Sequence, residues 1–392
     1  MTSLLKSTTA AVVATLAMLG SSQAQENPIK IGVVTPLSGT YAPIGQQVRW
    51  GLELATKEVN EAGGIMGRHV ELIFEDSEAN PATAVQRAER LIEAENVDFI
   101  TGTVNSGATL AAGQLAERSG KLLATTVSFA DSITGTQCSP NVFRVNARAG
   151  QQAVALAKWV TDKQPDARVY YLGPDYEMGR STVAAFKNAV EGQGATGVGE
   201  VFAPLGSNDY TAYFGQMRAA RPNVLYTSVA GNDTVRLLTQ MESFGLLNNL
   251  LVVGASGTVT SQNIGAIGSA AENFGTGVGY STNIDTPENK QFVETFNAAY
   301  DADPDLYGAD SYGLIGLYKK AVEKAGSVET DAVRAALEGL SWETPQGEKT
   351  IRAEDHQAIQ PVYVVQVQEG SFDIVDRIDG ESAIGADECE RF

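Results

Sequence analysis

IKIGVVTPLSGTYAPIGQQVRWGLELATKEVNEAGGIMGRHVEL, residues 29–72, decides the fold. It reads as a strand, a turn broken by glycine and proline, a long helix, and a second glycine turn into another strand. The loop after a first parallel strand is where α/β proteins usually meet their ligand. The question is what this loop meets, and whether the protein changes it or only holds it.

The same alternation continues outward. HVELIFED (69–76) alternates as a strand, and NPATAVQRAERLIEAENV (80–97) follows as a helix, with Pro81 near its start and Val85, Ala88, Leu91 and Ile92 at helical spacing. VDFITG is a short buried strand, SGATLAAGQLAERSG a helix with Ser106 near its N-terminus and Gly120 at its end, and KLLATTV a strand. Such alternation with apolar strands predicts a parallel sheet covered on both faces. After NVFRVNARAG (141–150) the pattern restarts, from a helix at about 151–162 to the strand NLLVVGAS, as a second unit of similar size. The strand ENFGTGVGY, helices at about 287–300, 309–325 and 331–338, and strands and turns in 348–378 follow. This tail predicts no third domain. It is read as returning to both units.

The bulk properties bound the function. A chain of 392 residues exceeds one ordinary domain, so two lobes are expected. Hydrophobic content of 43% and charged content of 19% predict a globular chain. A net charge of −19 opposes nucleic-acid binding, which needs a cationic surface. Lys6, an apolar run from Ala10 to Leu19, and small residues at Ser22 and Ala24 read as a signal peptide over 1–24. Export to the periplasm as a soluble monomer is expected. Cys138 and Cys389 suit that oxidising compartment, where a disulfide between them would pin the tail ECERF; two unrelated thiols are the alternative.

Taken together, the blocks IGVVTPLSG, ELATKEVNEAGGIMGR, ITGTVNSGAT, VFRVNA, GPDYEMGRSTVAAF, GSNDYTAYFGQMRAARPNVLYTSVAGND and YGADSYGLIGLYKKAVEKAG, in this order and spacing, resemble the leucine/isoleucine/valine-binding proteins. These are type I periplasmic solute-binding components of ATP-driven importers. The similarity covers essentially all of the chain beyond residue 24. It implies an α/β fold of two Rossmann-like doubly wound lobes joined by a three-stranded hinge. Lobe one would be 26–146 plus 280–350, and lobe two 147–279 plus 351–392. Hinge closure would trap a small molecule in the cleft, for delivery to an inner-membrane ABC permease.

The resemblance also implies a site. Ser106 in TVNSGAT matches the family hydroxyl that binds a ligand carboxylate at a helix start, where N–H groups and the helix dipole favour an anion. A plain helix N-cap is its alternative role. Ser128 and Phe129 in TVSFAD match the next segment. Tyr176, Tyr307 and Tyr41 match aromatic positions around the cleft, where a phenol offers an apolar face and one polar handle. Ser228, in VLYTSVAGND, completes the lobe-two set. The departure lies in VVGASGTV: amino-acid-binding members carry an acid where Ser256 stands. A buried ammonium without its anion costs about 3–5 kcal/mol, against about 8 kcal/mol for a whole micromolar site. Asp233 is the candidate replacement, with helix capping as its alternative, and Phe129 hints at a flatter, aromatic carboxylate.

Other candidates point elsewhere. Arg148 and Arg49 could pair an acid, but structural and surface roles are expected. No cysteine or histidine stands at zinc-ligand spacing from His69 or His356, so no zinc site is expected, and no cofactor or catalytic residue is expected either. GTGVGY misses the dinucleotide spacing and reads as a glycine-rich strand. Energy for transport must come from a partner, because no phosphate-binding loop is present. A sensor of the same fold is the alternative function. An enzyme would need an acid/base pair, for which Glu75 and Asp76 at a strand end are the nearest candidates.

Overall fold

A computed structural model describes residues 27–391; the signal peptide expected over 1–24 lies outside them. The chain opens with β1 (Ile29–Thr35), α1 (Ala42–Glu61), β2 (Val70–Asp76), α2 (Pro81–Glu93), β3 (Phe99–Thr101), α3 (Ser106–Arg118), β4 (Leu122–Thr125) and β5 (Val142–Arg144). These strands form a parallel sheet in the order β2-β1-β3-β4-β5. The strand order reverses between β1 and β3, so the loops leaving them splay apart at the carboxyl edge and open a crevice. Those loops carry Tyr41 and Ser106.

The second unit repeats this plan. It contains α4 (Ala149–Lys163), β6 (Arg168–Pro174), α5 (Glu177–Glu191), β7 (Thr196–Ala203), α6 (Thr211–Ala220), β8 (Val224–Thr227), α7 (Asn232–Ser243), β9 (Leu251–Gly254), α8 (Ile264–Ile267) and β10 (Gly275–Val278). The parallel run β7-β6-β8-β9-β10 reverses between β6 and β8. The loops leaving those strands carry Tyr176 and Ser228. One packing device recurs as well. A Cβ at Gly45 in α1 would sit 1.8 Å from the Pro36 carbonyl oxygen, and one at Gly179 in α5 would sit 1.9 Å from that of Pro174. In each lobe the helix after the first strand approaches the carboxyl end of that strand closely enough to require glycine.

The chain then returns to the first lobe with α9 (Pro287–Tyr300), α10 (Leu306–Ala325), α11 (Thr330–Leu337) and a small sheet of β11 (Ser341–Thr344), β12 (Gly347–Ile351) and β13 (Ala358–Ile359). Helix α10 packs along α1. Last come β14 (Val362–Gln368) and β15 (Ser371–Ile378), antiparallel additions beside β10, and α12 (Gly380–Ile384). The chain therefore passes between the lobes three times: after β5, after β10 and after β13. The third passage comes later than the 350/351 boundary read from the sequence, because β13 pairs with β12, β12 with β11, and Trp342 of β11 donates to the Gly313 carbonyl oxygen of α10. The glycine-rich GTGV of β10 has a local cause: a Cβ at Gly277 would lie 2.5 Å from the Gln152 carbonyl oxygen of α4.

Cys138 and Cys389 are bonded, their Cα atoms 5.7 Å apart across a sequence separation of 251. Arg391 accompanies the bond, donating to the Cys138 carbonyl oxygen at 3.0 Å and to Glu117 at 3.1 Å. Among the described residues no helix is long and apolar enough to cross a membrane.

Candidate functional site

The two crevices face each other, and the lobes touch across them. Tyr41 sits at the N-terminus of α1 and Tyr176 at the N-terminus of α5. Their hydroxyls meet at 2.9 Å, with ring centroids 6.4 Å apart. The Asn232 N–H reaches the Thr40 carbonyl oxygen at 3.4 Å, and Ser132 donates to Glu177 at 2.8 Å. A single apolar cluster runs through the contact, with Tyr41, Phe129 and Tyr307 from lobe one and Met178 and Ala230 from lobe two. The arrangement is closed.

Tyr307 is placed by the start of α10. Asp305 caps that helix, accepting the N–H groups of Tyr307 at 2.8 Å and Gly308 at 3.1 Å. The Tyr307 ring lies 6.2 Å from that of Phe129. Its hydroxyl abuts Gly257, where a Cβ would come within 1.7 Å of it and where φ is +87°. Only glycine is accommodated at that point. Burial raises the pKa of Tyr41, Tyr176 and Tyr307. The neighbouring Tyr176 phenol adds to the effect on Tyr41, and the Asp305 carboxylate to that on Tyr307. All three are neutral hydroxyls at physiological pH, each able to donate one hydrogen bond and accept others.

The lobe-one serines are wired in. The Ser128 hydroxyl lies 2.5 Å from that of Thr109, 3.0 Å from the Thr103 carbonyl oxygen and 3.1 Å from that of Val104. Thr109 donates to the Thr103 hydroxyl at 2.9 Å, and Thr125 accepts the Ser128 N–H at 3.2 Å. Ser106 is the first residue of α3 and accepts the Ala130 N–H at 3.3 Å. The helix cap is Asn105, whose side chain accepts the Ala108 N–H, so the N-cap alternative for Ser106 is corrected. Asparagine outranks a following serine here because its own backbone holds the extended conformation of a cap.

The lobe-two side is different. Ser228 and Ser256 are 1% and 2% exposed, and neither hydroxyl has a hydrogen-bond partner among the described residues. The Ser256 N–H is fixed by the Gln152 side chain at 3.1 Å. Asp233 lies in the first turn of α7, which Gly231 caps. Its carboxylate accepts the Gly206 N–H at 2.7 Å and sits 3.0 Å from Arg236. Burial raises its pKa despite these partners. It is close enough to Tyr41 and Tyr176 to push both phenols further up.

The remaining candidates are occupied elsewhere. Arg148 is buried at the first passage, donating to the carbonyl oxygens of Ile384 at 2.9 Å and Ala386 at 3.0 Å. Arg49 pairs with Glu53 on the surface. Glu75 pairs with Arg90, and Asp76 holds the Leu37 N–H and the Ser38 hydroxyl. His69 lies beside Asn60, and His356 stacks on Phe143 at 3.9 Å. No group of three or more metal-binding side chains occurs among the described residues. Sequence reading missed Gly257, Gln152 and the threonines at 103, 109 and 125. Only the GASG run (254–257) carried a local signal, since glycine after a strand end marks a close approach.

The chain is similar to proteins of one family and one fold. The profile of the family described as "Periplasmic binding protein" matches residues 28–371. The chain is 28% identical, over 86% of its length and 91% of the relative's, to the Leu/Ile/Val-binding protein homolog 3 of Brucella melitensis. It is 26% identical, over 81% and 84%, to the leucine-, isoleucine-, valine-, threonine- and alanine-binding protein of Pseudomonas aeruginosa. Among solved structures, the solute-binding protein of an ABC transporter from Rhodopseudomonas palustris BisB5, in complex with 3,4-dihydroxybenzoic acid, superposes with a TM-score of 0.84 at 25% identity, covering 90% of this chain and 98% of the other.

Proposed function

Because the chain belongs to the leucine/isoleucine/valine-binding family of type I periplasmic binding proteins, we propose that it captures a small carboxylate lacking an ammonium group, aromatic carboxylates foremost, and delivers it to an ABC permease in the inner membrane. Export by the 1–24 signal peptide would bring it to the periplasm.

The observation that carries the ligand class is the lobe-two wall. Ser256 brings a neutral hydroxyl where an ammonium would need an anion, and the Asp233 carboxylate is already engaged by Gly206 and Arg236. The carboxylate end is accounted for by the start of α3. There the leading N–H groups of the helix lack intrahelical acceptors and the dipole favours negative charge. The ligand body would pack against Phe129 and the neutral phenols of Tyr41, Tyr176 and Tyr307. Rings and phenols suit a flat apolar scaffold with hydroxyl groups, and the dihydroxybenzoic acid in the R. palustris protein is of that class. A second reading, an amino acid whose ammonium pairs with Asp233, draws on the position of that carboxylate beside Tyr41 and Tyr176 and on the names of the two relatives. Both readings hold the ligand without changing it.

The test is a thermal-shift screen of mature protein, refolded to strip bound ligand, against aromatic carboxylates, branched-chain and polar amino acids, dicarboxylates and amides. A ligand at a hundred times its dissociation constant adds about 2.7 kcal/mol. A shift with benzoate-type acids alone is the expected result. A shift with leucine or valine alone would replace the first reading by the second.

A further inference from the structure

After α12 the tail returns from lobe two to lobe one. Helix α12 packs against α4, and Ala383 is buried in the apolar cluster of lobe two together with Ala153, Leu156 and Val160. Cys389, a few residues beyond Ile384, is bonded to Cys138. Cys138 belongs to lobe one. Its N–H closes a turn onto the Gly135 carbonyl oxygen at 2.9 Å, and the preceding Ala130 and Ile133 are buried with Ala108, Ala112 and Leu115 of α3. Arg391 extends the grip to Glu117, also on α3.

The crossing segment is seated as well as bonded. Arg148, at the start of lobe two, takes the carbonyl oxygens of Ile384 and Ala386. Arg352, on the loop after β12, donates to the Gly385 carbonyl oxygen at 2.9 Å and is itself held by Asp355. Successive carbonyl oxygens are thus taken by guanidinium groups from both sides of the crossing. The lobe-one segment that carries Cys138 also makes closure contacts with α5. The Asp131 N–H donates to the Ser181 hydroxyl at 2.9 Å, and Ser132 donates to Glu177. Opening the cleft breaks those contacts and draws this segment away from lobe two. The tail from Ile384 to Cys389 spans the same gap, and fully extended it reaches only about 17 Å.

We infer that Gly385–Cys389 is a strap, a fourth and covalent link between the lobes, that limits how far the cleft opens. With the bond made, the chain samples a narrower range of openings than the three passages alone would permit. The closed arrangement is then a larger share of the ensemble, and a ligand that needs it binds more tightly by that share. The strap rests on the lobe movement of the capture proposed above and is independent of the ligand class.

The experiment reads the width of the cleft directly. Donor and acceptor dyes are attached through thioether bonds at Ser38→Cys and Asn208→Cys, on exposed loops after β1 and β7. The two natural cysteines are bonded to each other, so the introduced thiols are the ones that react. Single-molecule energy transfer is measured on ligand-free mature protein in three forms: the natural strap, a strap lengthened by Gly-Gly-Ser between Ala386 and Asp387 with the bond intact, and the cut pair Cys138→Ser/Cys389→Ser. The insertion adds about 10 Å of reach. The transfer distribution is expected to extend to lower efficiency in that order. If the cut pair fails to fold, the lengthened strap decides alone. A cut pair that widens while the lengthened strap does not would overturn the inference, because the bond would then act on stability and not on reach. Equal distributions would overturn it too. Equal and broad ones would leave a slack tail on lobes that still move, whereas equal and narrow ones would also remove the hinge closure on which capture depends.

Discussion

The two walls of the cleft use serine in opposite ways. On the lobe-one side, Ser106 and Ser128 are spent within a network of threonine hydroxyls and backbone groups. On the lobe-two side, Ser228 and Ser256 are just as buried, and their hydroxyls are unmatched. A satisfied network rigidifies, whereas an unmatched buried hydroxyl is a cost unless something arrives to meet it. Lobe one is thus a fixed cradle, and lobe two the wall on which, in the function proposed above, ligand choice is made.

Four substitutions would break or sharpen that contrast. The largest effect is expected from Ser256→Glu, which buries a carboxylate with no partner. Thermal melts should show a loss of about 3–5 kcal/mol, partly recovered on adding leucine; an unchanged melt would mean that the lobe-two wall is not dry. Asp305 is the exception within lobe one. Burial raises its pKa to about 7 from an ordinary 3.8. The folded chain therefore holds this proton more tightly than the unfolded chain. The contribution to stability falls as pH rises from 3.8 to about 7 and levels off above that. Asp305→Asn should gain on the natural protein across that window by at most about 4 kcal/mol, read from denaturant midpoints at several pH values. A gap that does not vary with pH would refute it.

Ser128→Ala should cost about 1–3 kcal/mol, because Thr109 and two carbonyl oxygens lose a partner. Ser228→Ala should change stability by no more than about 0.5 kcal/mol, since no hydrogen bond is lost, yet it should weaken the bound ligand. Equal costs for these two alanine variants in urea titrations would erase the difference between the walls.

The sequence made the scaffold legible and the wiring much less so. Strand–helix alternation is a local signal, and α9 runs from Pro287 to Tyr300 as its periodicity predicts. Helix α10 starts at Leu306, earlier than the expected 309, because Asp305 caps it directly after Pro304. The three tyrosines were legible through the family resemblance, but the Tyr41–Tyr176 contact joins residues 135 apart. The same holds for the buried Lys349–Asp310 pair and for Arg144 against Gln357, 213 residues away. No period or spacing encodes such meetings; they follow only once both sheets are built. The lobe-one threonines were missed for the same reason, since each is unremarkable within its own strand, loop or helix.

The disulfide has a consequence when the molecule is considered under load. The loop it closes, with a sequence separation of 251, contains the whole second sheet together with α9, α10 and α11. Tension applied between the two ends of the chain would pass through the sulfur bridge at Cys138 and bypass everything from residue 139 to 388. Only the segments outside the bridge, before Cys138 and after Cys389, could be drawn out. Under traction, lobe two and all three passages between the lobes would carry no force until the bridge was reduced. The reducing power of the surroundings would then set how much of the protein can be stretched.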